Sequence, residues 1–565
     1  MVSALAGGVA LIACVGENVE GEGGSSSSGG TGSSSGENGG SSGGGGSSGG
    51  GGSSGGGGSS SGVSSSSGGT CVEACADPTT LTKCVDGVAT NVICGSGCST
   101  EGSPHCKQFD PLGSFTAADF TREDLADLVF DLELMKIDLK TGEITDMRMD
   151  ADAGDAGPRI VRAANENLTD GEARSEEVHD GIGFVIDDNG VYLRGRNITF
   201  IDSDPSNDTV WIKTSAEKPL RVLAQDTLRV EALMDLPCGT AFGGFAGASA
   251  GVNPVDTGTP PTLAGAPAQS PDSGGKIHVA FNVPYGGGGG GGALSAGGAG
   301  GTGAMELSIN VPGGAAGAGY SAAVRGNFAP LFGGAGGGPG SRRAAGNLLN
   351  RGSNGGGGGG AIHLVAGRQL VLGSDAEIVA GINAGGCGGG AKGGVVAVGD
   401  PVESSGGGGG AGGTIVLEAP RVELKARAGV AANGGGGGGH GSRGMSGWFS
   451  TSVARGGGVP APNVPGNGCP QGGCVAPPST KCSANGGNGG AASVNATVGE
   501  ALSNTLKAGC VEGPNAIGAA YGGGGGGAAG RILVNTLTST SFVQANGSVA
   551  SPSGNGLKIS TLAPN

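Results

Sequence analysis

Oxygen-rich side chains form two clusters that have the ligand type calcium prefers. The six aspartates concerned are Asp150, Asp152, Asp155, Asp202, Asp204 and Asp208. Neither cluster follows the EF-hand loop with its distal glutamate, and aspartate also populates solvated turns. Two interpretations stay open, a weak structural calcium site or acidic turns, and no other cofactor is indicated.

A polysaccharide lyase or glycosidase would need two carboxylates that converge on one groove. The dense acidic candidates near predicted strands do not share one strand phase; they are Asp180, Asp187, Asp188, Asp202 and Asp204. No G-x-S-x-G elbow lies between a predicted strand and a helix, and no G-x-x-x-x-G-K-[ST] loop occurs. We therefore expect no catalytic residues.

The five histidines are dispersed along the chain and lack the i,i+4 spacing of a metal-binding helix. They are His105, His179, His278, His363 and His440. His278 and His363 each follow an isoleucine in a strand pattern, which places them on the side of the strand opposite the core. We expect both of these histidines to face solvent.

Twelve cysteines are disulfide candidates. Six of them lie close together: Cys71, Cys75, Cys84, Cys94, Cys98 and Cys106. Their spacing lacks the paired C-x-x-C of zinc sites, so it predicts three bridges, for which fifteen pairings exist. Four late cysteines predict two bridges in a Pro/Gly/Asn-rich excursion: Cys469, Cys474, Cys482 and Cys510. Cys238 and Cys387 remain as a long-range pair.

The segment Leu11-Ile12-Ala13-Cys14 closes a short apolar stretch in the pattern of a bacterial lipobox. In such a motif the cysteine thiol is acylated and the peptide is cut just before it. The stretch is far shorter than the roughly 20 apolar residues of a membrane span, and several acyl chains on Cys14 would anchor the protein firmly. Val15 is not the aspartate of inner-membrane retention. We expect a lipid anchor in the outer membrane or at the cell surface.

Composition limits the kind of core that the chain can build. Glycine supplies 133 of 565 residues and aromatic residues only 3%, which favours thin layers over one bulky core. The net charge is -16, with most acids in the first 240 residues. Because nucleic-acid binding requires clustered Lys and Arg, we expect no nucleic-acid partner.

These features divide the chain into five predicted parts. Residues 1–14 are the lipoprotein signal, and residues 15–70, nearly all Gly and Ser at their centre, are a disordered tether. Residues 71–110 form the cysteine-rich module, 111–550 the body and 551–565 a C-terminal tail. The stretch from Phe120 to Leu134 fits either a short helix or a strand.

A repeated pattern of short strands organises the body. Alternating apolar residues recur in four copies: Leu220-Val222-Ala224 then Leu228-Val230, Ile362-Leu364-Ala366 then Leu370-Leu372, Ile415-Leu417-Ala419 then Val422-Leu424, and Ile532-Val534-Thr536 then Val543. The segment Ile378-Val379-Ala380 is expected to match the one at Val430, and Thr209–Lys213 reads as a further strand. Stacked short strands predict a mainly β protein, a right-handed parallel β-helix or β-solenoid.

Unbroken glycine runs separate the strands. They are Gly286–Gly292, Gly355–Gly360, Gly406–Gly410, Gly434–Gly439 and Gly522–Gly527. Such runs could be floppy loops, which chain entropy favours, or laterally hydrogen-bonded polyglycine-II helices, which their repeated placement favours. The sequence leaves both alternatives open.

The chain resembles a group of uncharacterised glycine-rich exported lipoproteins of myxobacteria and related delta-proteobacteria. The matching features are the lipobox at Cys14, the Gly/Ser tract, the run from Cys84 to Cys98, the run from Gly408 to Pro420 and the run from Gly530 to Asn535. The strand repeats are also similar to those of filamentous-haemagglutinin-type adhesins, which implies a β-helix.

Taken together, these features predict a surface-anchored structural or interaction lipoprotein of the bacterial envelope, with adhesion as one role. Its expected partners are the membrane, through the anchor, and an envelope polysaccharide or surface protein. The alternative is a carbohydrate-active β-helix protein that binds or cleaves polysaccharide.

Overall fold

The structure is a computed structural model. It describes, with short gaps inside them, residues 71–131, 135–146, 159–163, 177–202, 218–238, 287–319, 331–340, 353–374, 380–390, 405–439, 446–447, 487–498 and 519–563, together with Gly244. Residues 1–69 lie outside these ranges, and Thr70–Asn565 forms one compact unit.

Short β-strands dominate the described chain. In chain order the strands are β1 (Ala74–Asp77), β2 (Thr80–Val85), β3 (Val88–Ile93), β4 (Cys98–Ser99), β5 (His105–Cys106), β6 (Leu128–Asp131), β7 (Met135–Ile137), β8 (Ile144–Asp146), β9 (Arg159–Arg162), β10 (Glu177–His179), β11 (Ile182–Asp187), β12 (Gly190–Gly195), β13 (Ile198–Ile201), β14 (Leu220–Ala224), β15 (Thr227–Val230), β16 (Leu233–Asp235), β17 (Gly303–Met305), β18 (Ile309–Val311), β19 (Ala361–Ala366), β20 (Gln369–Leu372), β21 (Ala380–Asn383), β22 (Thr414–Glu418), β23 (Arg421–Leu424), β24 (Ala428–Ala431), β25 (Ala519–Ala520), β26 (Arg531–Thr536), β27 (Phe542–Gln544), β28 (Val549–Ser551) and β29 (Leu557–Thr561).

Helical structure among the described residues is confined to short 3-10 segments at Ala117–Thr121, Ser539–Ser541 and Gly554–Gly556. None of the described helical segments has the length and apolar character that a membrane crossing requires.

Three sheets are built from parallel strands. Sheet 1 has the order β10-β11-β12-β14-β19-β22-β26-β29 and is parallel from β12 onward. Sheet 2 has the order β27-β23-β20-β15-β13-β6, and sheet 3 the order β16-β21-β24-β28, both entirely parallel. Three consecutive strands, such as β19, β20 and β21, enter the three sheets in turn.

The predicted apolar repeats lie in register. Leu220, Ile362, Ile415 and Ile532 occupy one row of sheet 1, each opposite the next. All four side chains are buried in one core together with the leucines and valines of sheet 2. Because side chains alternate along a strand, the period of two places every second residue in this core. The mainly β class is confirmed.

One detail of the predicted pattern differs. The third strand of the second copy is Ala380–Asn383, which sets Ile382 opposite Val430, so the expected alignment at residues 378–380 is wrong. Both strands read Ala-Gly-apolar, which fixes this register; residues 378 and 379 lie outside the described residues.

The stretch from Phe120 to Leu134 and the C-terminal tail also gain definite structure. The first holds the end of a 3-10 segment and then β6, rather than one continuous element. The second contains β29, whose Leu557 and Ile559 alternate as in a strand and pair in parallel with β26. The predicted strand at residues 209–213 lies outside the described residues.

The described parts of the glycine runs are hydrogen-bonded rather than loose. In the segment 405–413, the N–H groups of residues 408 and 411 donate to the carbonyls of residues 338 and 335, at 2.8 Å each. Residues 409 and 412 donate to 525 and 528, and residues 410 and 413 donate to 387 and 384, at 2.7–2.9 Å. Donors three residues apart therefore reach the same neighbouring segment.

Carbonyl groups of the same segment serve three further neighbours. The carbonyls of residues 406 and 409 accept from 288 and 291, those of 407 and 410 from 438 and 435, and those of 408 and 411 from 356 and 359. Segment 405–413 is thus surrounded by six hydrogen-bonded segments. We call this assembly of glycine-rich segments the glycine bundle.

The bundle continues the strand register of sheet 1. Segments 353–360, 405–413 and 523–530 lead directly into β19, β22 and β26. The hydrogen bond from Gly359 to Ala411 lies just before the pairing of Ala361 with Thr414. Neighbouring segments therefore keep the same hydrogen-bonding partners from the bundle into the sheet.

Close packing explains why the bundle is made of glycine. A Cβ on Gly409 would fall against the carbonyl oxygen of Gly435, and one on Gly410 against that of Gly357, both far inside van der Waals contact. Ala411 is tolerated because its methyl group packs with Ala293 and Ala528. Close approach of backbones, rather than conformational freedom, selects glycine here.

Four disulfides are present among the described cysteines. The cysteine-rich module is closed by Cys71–Cys84, Cys75–Cys98 and Cys94–Cys106. Cys238 pairs with Cys387 and links the residues after β16 to the glycine bundle. The candidate cysteines Cys469, Cys474, Cys482 and Cys510, and the anchor residue Cys14, lie outside the described residues.

Candidate functional site

A buried polar cluster lies on the outer face of sheet 1. Its members are Arg221 on β14, His363 on β19, Glu418 on β22 and Asn535 on β26. Alternation along each strand turns these side chains away from the core that their neighbours, such as Ile362 and Leu417, enter. The parallel stacking then brings them together from positions up to 314 residues apart in sequence.

The four side chains form one chain of hydrogen bonds. Arg221 Nη1 lies 2.9 Å from His363 Nδ1, and His363 Nε2 lies 2.6 Å from Glu418 Oε2. Asn535 Nδ2 donates to Glu418 Oε1 at 2.5 Å, and the backbone N–H of Leu112 donates to Glu418 Oε2 at 2.8 Å.

These partners determine the protonation state of His363. Arginine has only donors and an ionised carboxylate has only acceptors. His363 must therefore accept at Nδ1 from Arg221 and donate from Nε2 to Glu418, which is the neutral imidazole with its proton on Nε2. This assignment rests on the hydrogen-bond partners.

The net pKa shifts of His363 and Glu418 agree with a neutral imidazole beside an ionised carboxylate. Burial, assisted by the charge of Arg221, lowers the pKa of His363 against the opposing pull of Glu418. Burial alone would raise the pKa of Glu418, but hydrogen bonds from His363, Asn535 and Leu112 hold it below its usual range. Burial also lowers the pKa of Arg221.

A single stretch of chain covers this cluster. Residues 109–125, which we call the strap, connect the cysteine-rich module to β6 and bury Phe109, Phe115, Phe120 and Leu125. The Phe115 ring lies 5.2 Å from that of Tyr192 and 5.9 Å from that of His363.

Polar contacts also fasten the strap to sheet 1. Asp119 lies 3.4 Å from Arg194 Nη2, and Gln225 Nε2 donates to the carbonyls of Asp119 and Arg122 at 3.2 and 2.7 Å. Gly113, with φ +87°, passes so close to Arg221 that a Cβ would lie 2.5 Å from Nη1.

The expectation that His363 faces solvent is wrong, since its side chain is 1% exposed. Strand alternation correctly assigns the face, but it contains no information about a segment 250 residues earlier that covers that face. The aromatic spacing at Phe109, Phe115 and Phe120 is the signal that could have indicated such a cover.

The other described histidines do not join this cluster. His105 is exposed, and its Nδ1 contacts the carbonyl of Ser103; His179 lies on β10. His278 and His440 lie outside the described residues. Because the strap encloses the cluster, the hydrogen bonds of the cluster hold the strap and sheet 1 together.

Two of the predicted acidic residues, Asp180 and Asp187, lie in separate turns at the two ends of β11. Asp187 accepts from the backbone N–H groups of Asn189 and Gly190 at 2.6 and 3.0 Å and so stabilises a turn. Asp180, with φ 51°, also lies in a turn.

Of the calcium candidates, Asp202 is described and follows β13, whereas the rest are outside the described chain: Asp150, Asp152, Asp155, Asp204 and Asp208. The acidic candidate Asp188 is outside it too. Among the described residues, no group of three or more His, Cys, Asp or Glu side chains is arranged to hold a metal ion.

An outer segment of the glycine bundle exposes small side chains at a regular spacing. In segment 313–319, Ala315 and Ala318 are exposed, while the residues just before them, Gly314 and Gly317, are buried. The N–H groups of Gly314 and Gly317 donate to the carbonyls of Gly287 and Gly290. The period of three thus turns every third side chain outward.

Comparisons of this chain with family models, with curated proteins and with solved structures find no match.

Proposed function

We propose that the protein is a surface-anchored structural or interaction lipoprotein of the bacterial cell envelope. In this proposal the three parallel sheets are the faces of a right-handed β-solenoid, and the glycine segments are polyglycine-II helices inserted between its coils. The observation that carries the proposal is the period-three hydrogen bonding around segment 405–413. Three residues per turn is the period of this extended helix.

Such an architecture suits a scaffold. Backbone hydrogen bonds and buried methyl groups hold the glycine bundle together, so its outer segments can present small side chains such as Ala315 and Ala318 at fixed spacing. A rise of about 3.1 Å per residue would place such side chains about 9 Å apart. A rigid, weakly charged surface of this kind fits contact with a polymer or another surface protein.

The proposed location rests on the sequence and on the disulfides. Cys14 stands in a lipobox pattern, and disulfide-bonded modules such as that of residues 71–106 belong to oxidising compartments. Within the described residues, no observation favours the carbohydrate-active alternative.

The test is expression of the full chain in a bacterium with lipoprotein processing, with Cys14→Ala as the variant. We expect the wild-type protein to gain the mass of its acyl chains and to partition with membranes. The Cys14→Ala protein should carry no acyl mass and stay in the aqueous fraction. An unmodified, aqueous wild-type protein would contradict the anchor and with it the proposed location.

A matched control separates anchoring from folding. Cys469→Ala replaces a cysteine that lies far from the lipobox in the sequence and belongs to a predicted disulfide, and we expect it to leave the acyl mass and the membrane partition unchanged. If Cys469→Ala also abolished partition, loss of partition would not be specific to the lipobox.

A further inference from the structure

We propose that the strap, residues 109–125, is an acid-sensitive latch. It is released from sheet 1 when His363 takes up a proton. The inference concerns a conformational device and is independent of where the protein is located. It rests on the positions of Arg221, His363 and Glu418 beneath the strap.

The closed state requires a neutral imidazole. His363 accepts a hydrogen bond from Arg221 Nη1 at 2.9 Å through Nδ1, and an imidazolium has no acceptor. Protonation would place a second cation against the guanidinium of Arg221 in a site with almost no solvent contact. Like charges in a buried site are costly, so the proton can enter only if the site opens.

Within the described part of the chain, two charged side chains contact the imidazole. Glu418 on β22 contacts Nε2 and favours the protonated form, whereas Arg221 on β14 opposes it. Strap residues 112–115 bring the Leu112 N–H group, the Gly113 backbone and the Phe115 ring to the cluster.

The next charged groups lie near other residues of the cluster and the strap rather than His363 itself. Asp187 on β11 and the Tyr192 ring on β12 lie near Arg221. Asp119 of the strap faces Arg194 on β12. Thus, among the residues that the structure describes, one carboxylate contacts His363, and it does not compensate for both burial and the neighbouring arginine.

The strap is the layer that yields. Its polar contacts with sheet 1 include the hydrogen bond from Leu112 to Glu418, those from Gln225 to strap carbonyls and the Asp119–Arg194 pair. The strands beneath are joined by ladders of five paired residues on each side. Thr116 and Ala118 on the outside of the strap are exposed. The described residues of the strap form no β-strand with sheet 1, and segments outside the strand ladders open before the core does.

The size of the effect follows from proton linkage. An imidazole exposed in the open strap titrates near pH 6.5, whereas the closed strap keeps His363 neutral. The open state therefore binds one more proton than the closed state below about pH 6.5. As the pH falls below this value, the open fraction rises about tenfold for each pH unit. Above that pH the open fraction does not depend on this residue.

His363→Gln is the matched variant for the test. Glutamine can accept from Arg221 and donate to Glu418, as the neutral imidazole does, but it does not titrate. The amide of Leu112 reports opening, because it donates to Glu418 only in the closed strap. The amide of Leu370 in β20 serves as an internal reference from the core.

The experiment measures hydrogen-exchange protection factors, corrected for the intrinsic pH dependence of exchange, between pH 7.5 and 4.5. In the wild type we expect the protection of Leu112 to fall about tenfold per pH unit below 6.5, while Leu370 stays constant. In His363→Gln the protection of Leu112 should be nearly flat over the same range. Equal slopes in the two proteins, or a flat wild type, would overturn the proposal.

A second measurement covers the case in which His363→Gln does not fold. Nitrogen chemical shifts of the His363 ring in the wild type distinguish the neutral Nε2–H tautomer from imidazolium. The proposal requires the neutral tautomer at pH 7 in the closed strap; an imidazolium at that pH would overturn it.

Discussion

Gly410→Ala places one methyl group inside the glycine bundle. The new Cβ would meet the carbonyl groups of Gly357 and Gly356, which are backbone atoms and cannot rotate away. Gly410 also donates to Cys387 at 2.9 Å and accepts from Gly435 at 2.8 Å. Relief of the clash must therefore move a segment that is held on several sides.

The expected cost can be worked out from these contacts. Overpacking costs about 1–3 kcal/mol, and two weakened hydrogen bonds add about 0.5–1.5 kcal/mol each. Replacing glycine returns about 0.4–1 kcal/mol by restricting the unfolded chain. We expect Gly410→Ala to lower the free energy of unfolding by about 3 kcal/mol.

Ala411→Gly is the control at the adjacent position. It removes a methyl group that packs with Ala293 and Ala528, which costs about 0.8 kcal/mol. The larger backbone entropy that glycine loses on folding costs about 0.5–1 kcal/mol more. Denaturant unfolding followed by circular dichroism compares the two variants. A Gly410→Ala protein as stable as Ala411→Gly, or more so, would refute the close packing of the bundle.

Three further predictions concern the rest of the fold. Replacing Cys238 and Cys387 together by alanine opens a loop of 149 residues and should lower the free energy of unfolding by up to about 5 kcal/mol; an unchanged denaturation midpoint would contradict this. Burial raises the pKa of Asp235 despite a hydrogen bond from Asn383, so the folded state holds this proton more tightly than the unfolded chain, and stability falls as pH rises above about 3.8. Asp235→Asn should remove that part of the pH dependence in denaturation series from pH 3 to 7, and an identical pH profile would count against it. Glu418→Ala leaves the donors of His363, Asn535 and Leu112 without their acceptor and should cost about 3–5 kcal/mol, measured as a shift in denaturation midpoint; a loss below about 1 kcal/mol would show that the buried network adds little.

Much of the sheet architecture could be predicted from the sequence because the relevant signal is local. The alternation at Ile362-Leu364-Ala366 and at Ile415-Leu417-Ala419 assigns both the strands and the face that enters the core. The third strand was harder to align, since Ala380–Asn383 has a single bulky apolar residue, Ile382, to mark its phase.

The state of the glycine runs could not be decided from the sequence. A run such as Gly406–Gly410 has no side chains, so it has no periodic pattern that separates a loop from a hydrogen-bonded segment. What decides between them is the number of neighbouring backbones, which depends on how distant segments stack. The same applies to disulfide pairing within residues 71–106, which spacing alone leaves open.

The buried polar cluster was missed for a related reason. Its residues come from four strands, and its cover, the strap, comes from a fifth part of the chain. Strand alternation assigns His363 to the correct face, but it contains no information that Leu112 and Phe115 lie over that face. Long-range cover of this kind is visible only once the layers are assembled.

The central claim is that the glycine segments form an ordered, hydrogen-bonded bundle that continues sheet 1. Residue-resolved hydrogen exchange of the amides from Gly408 to Gly413 tests it most directly, with the amides of β22 as the reference. Because all six of these N–H groups donate to neighbouring carbonyls, we predict that they exchange as slowly as those of β22. Exchange at the rate of an unprotected glycine chain would contradict the account.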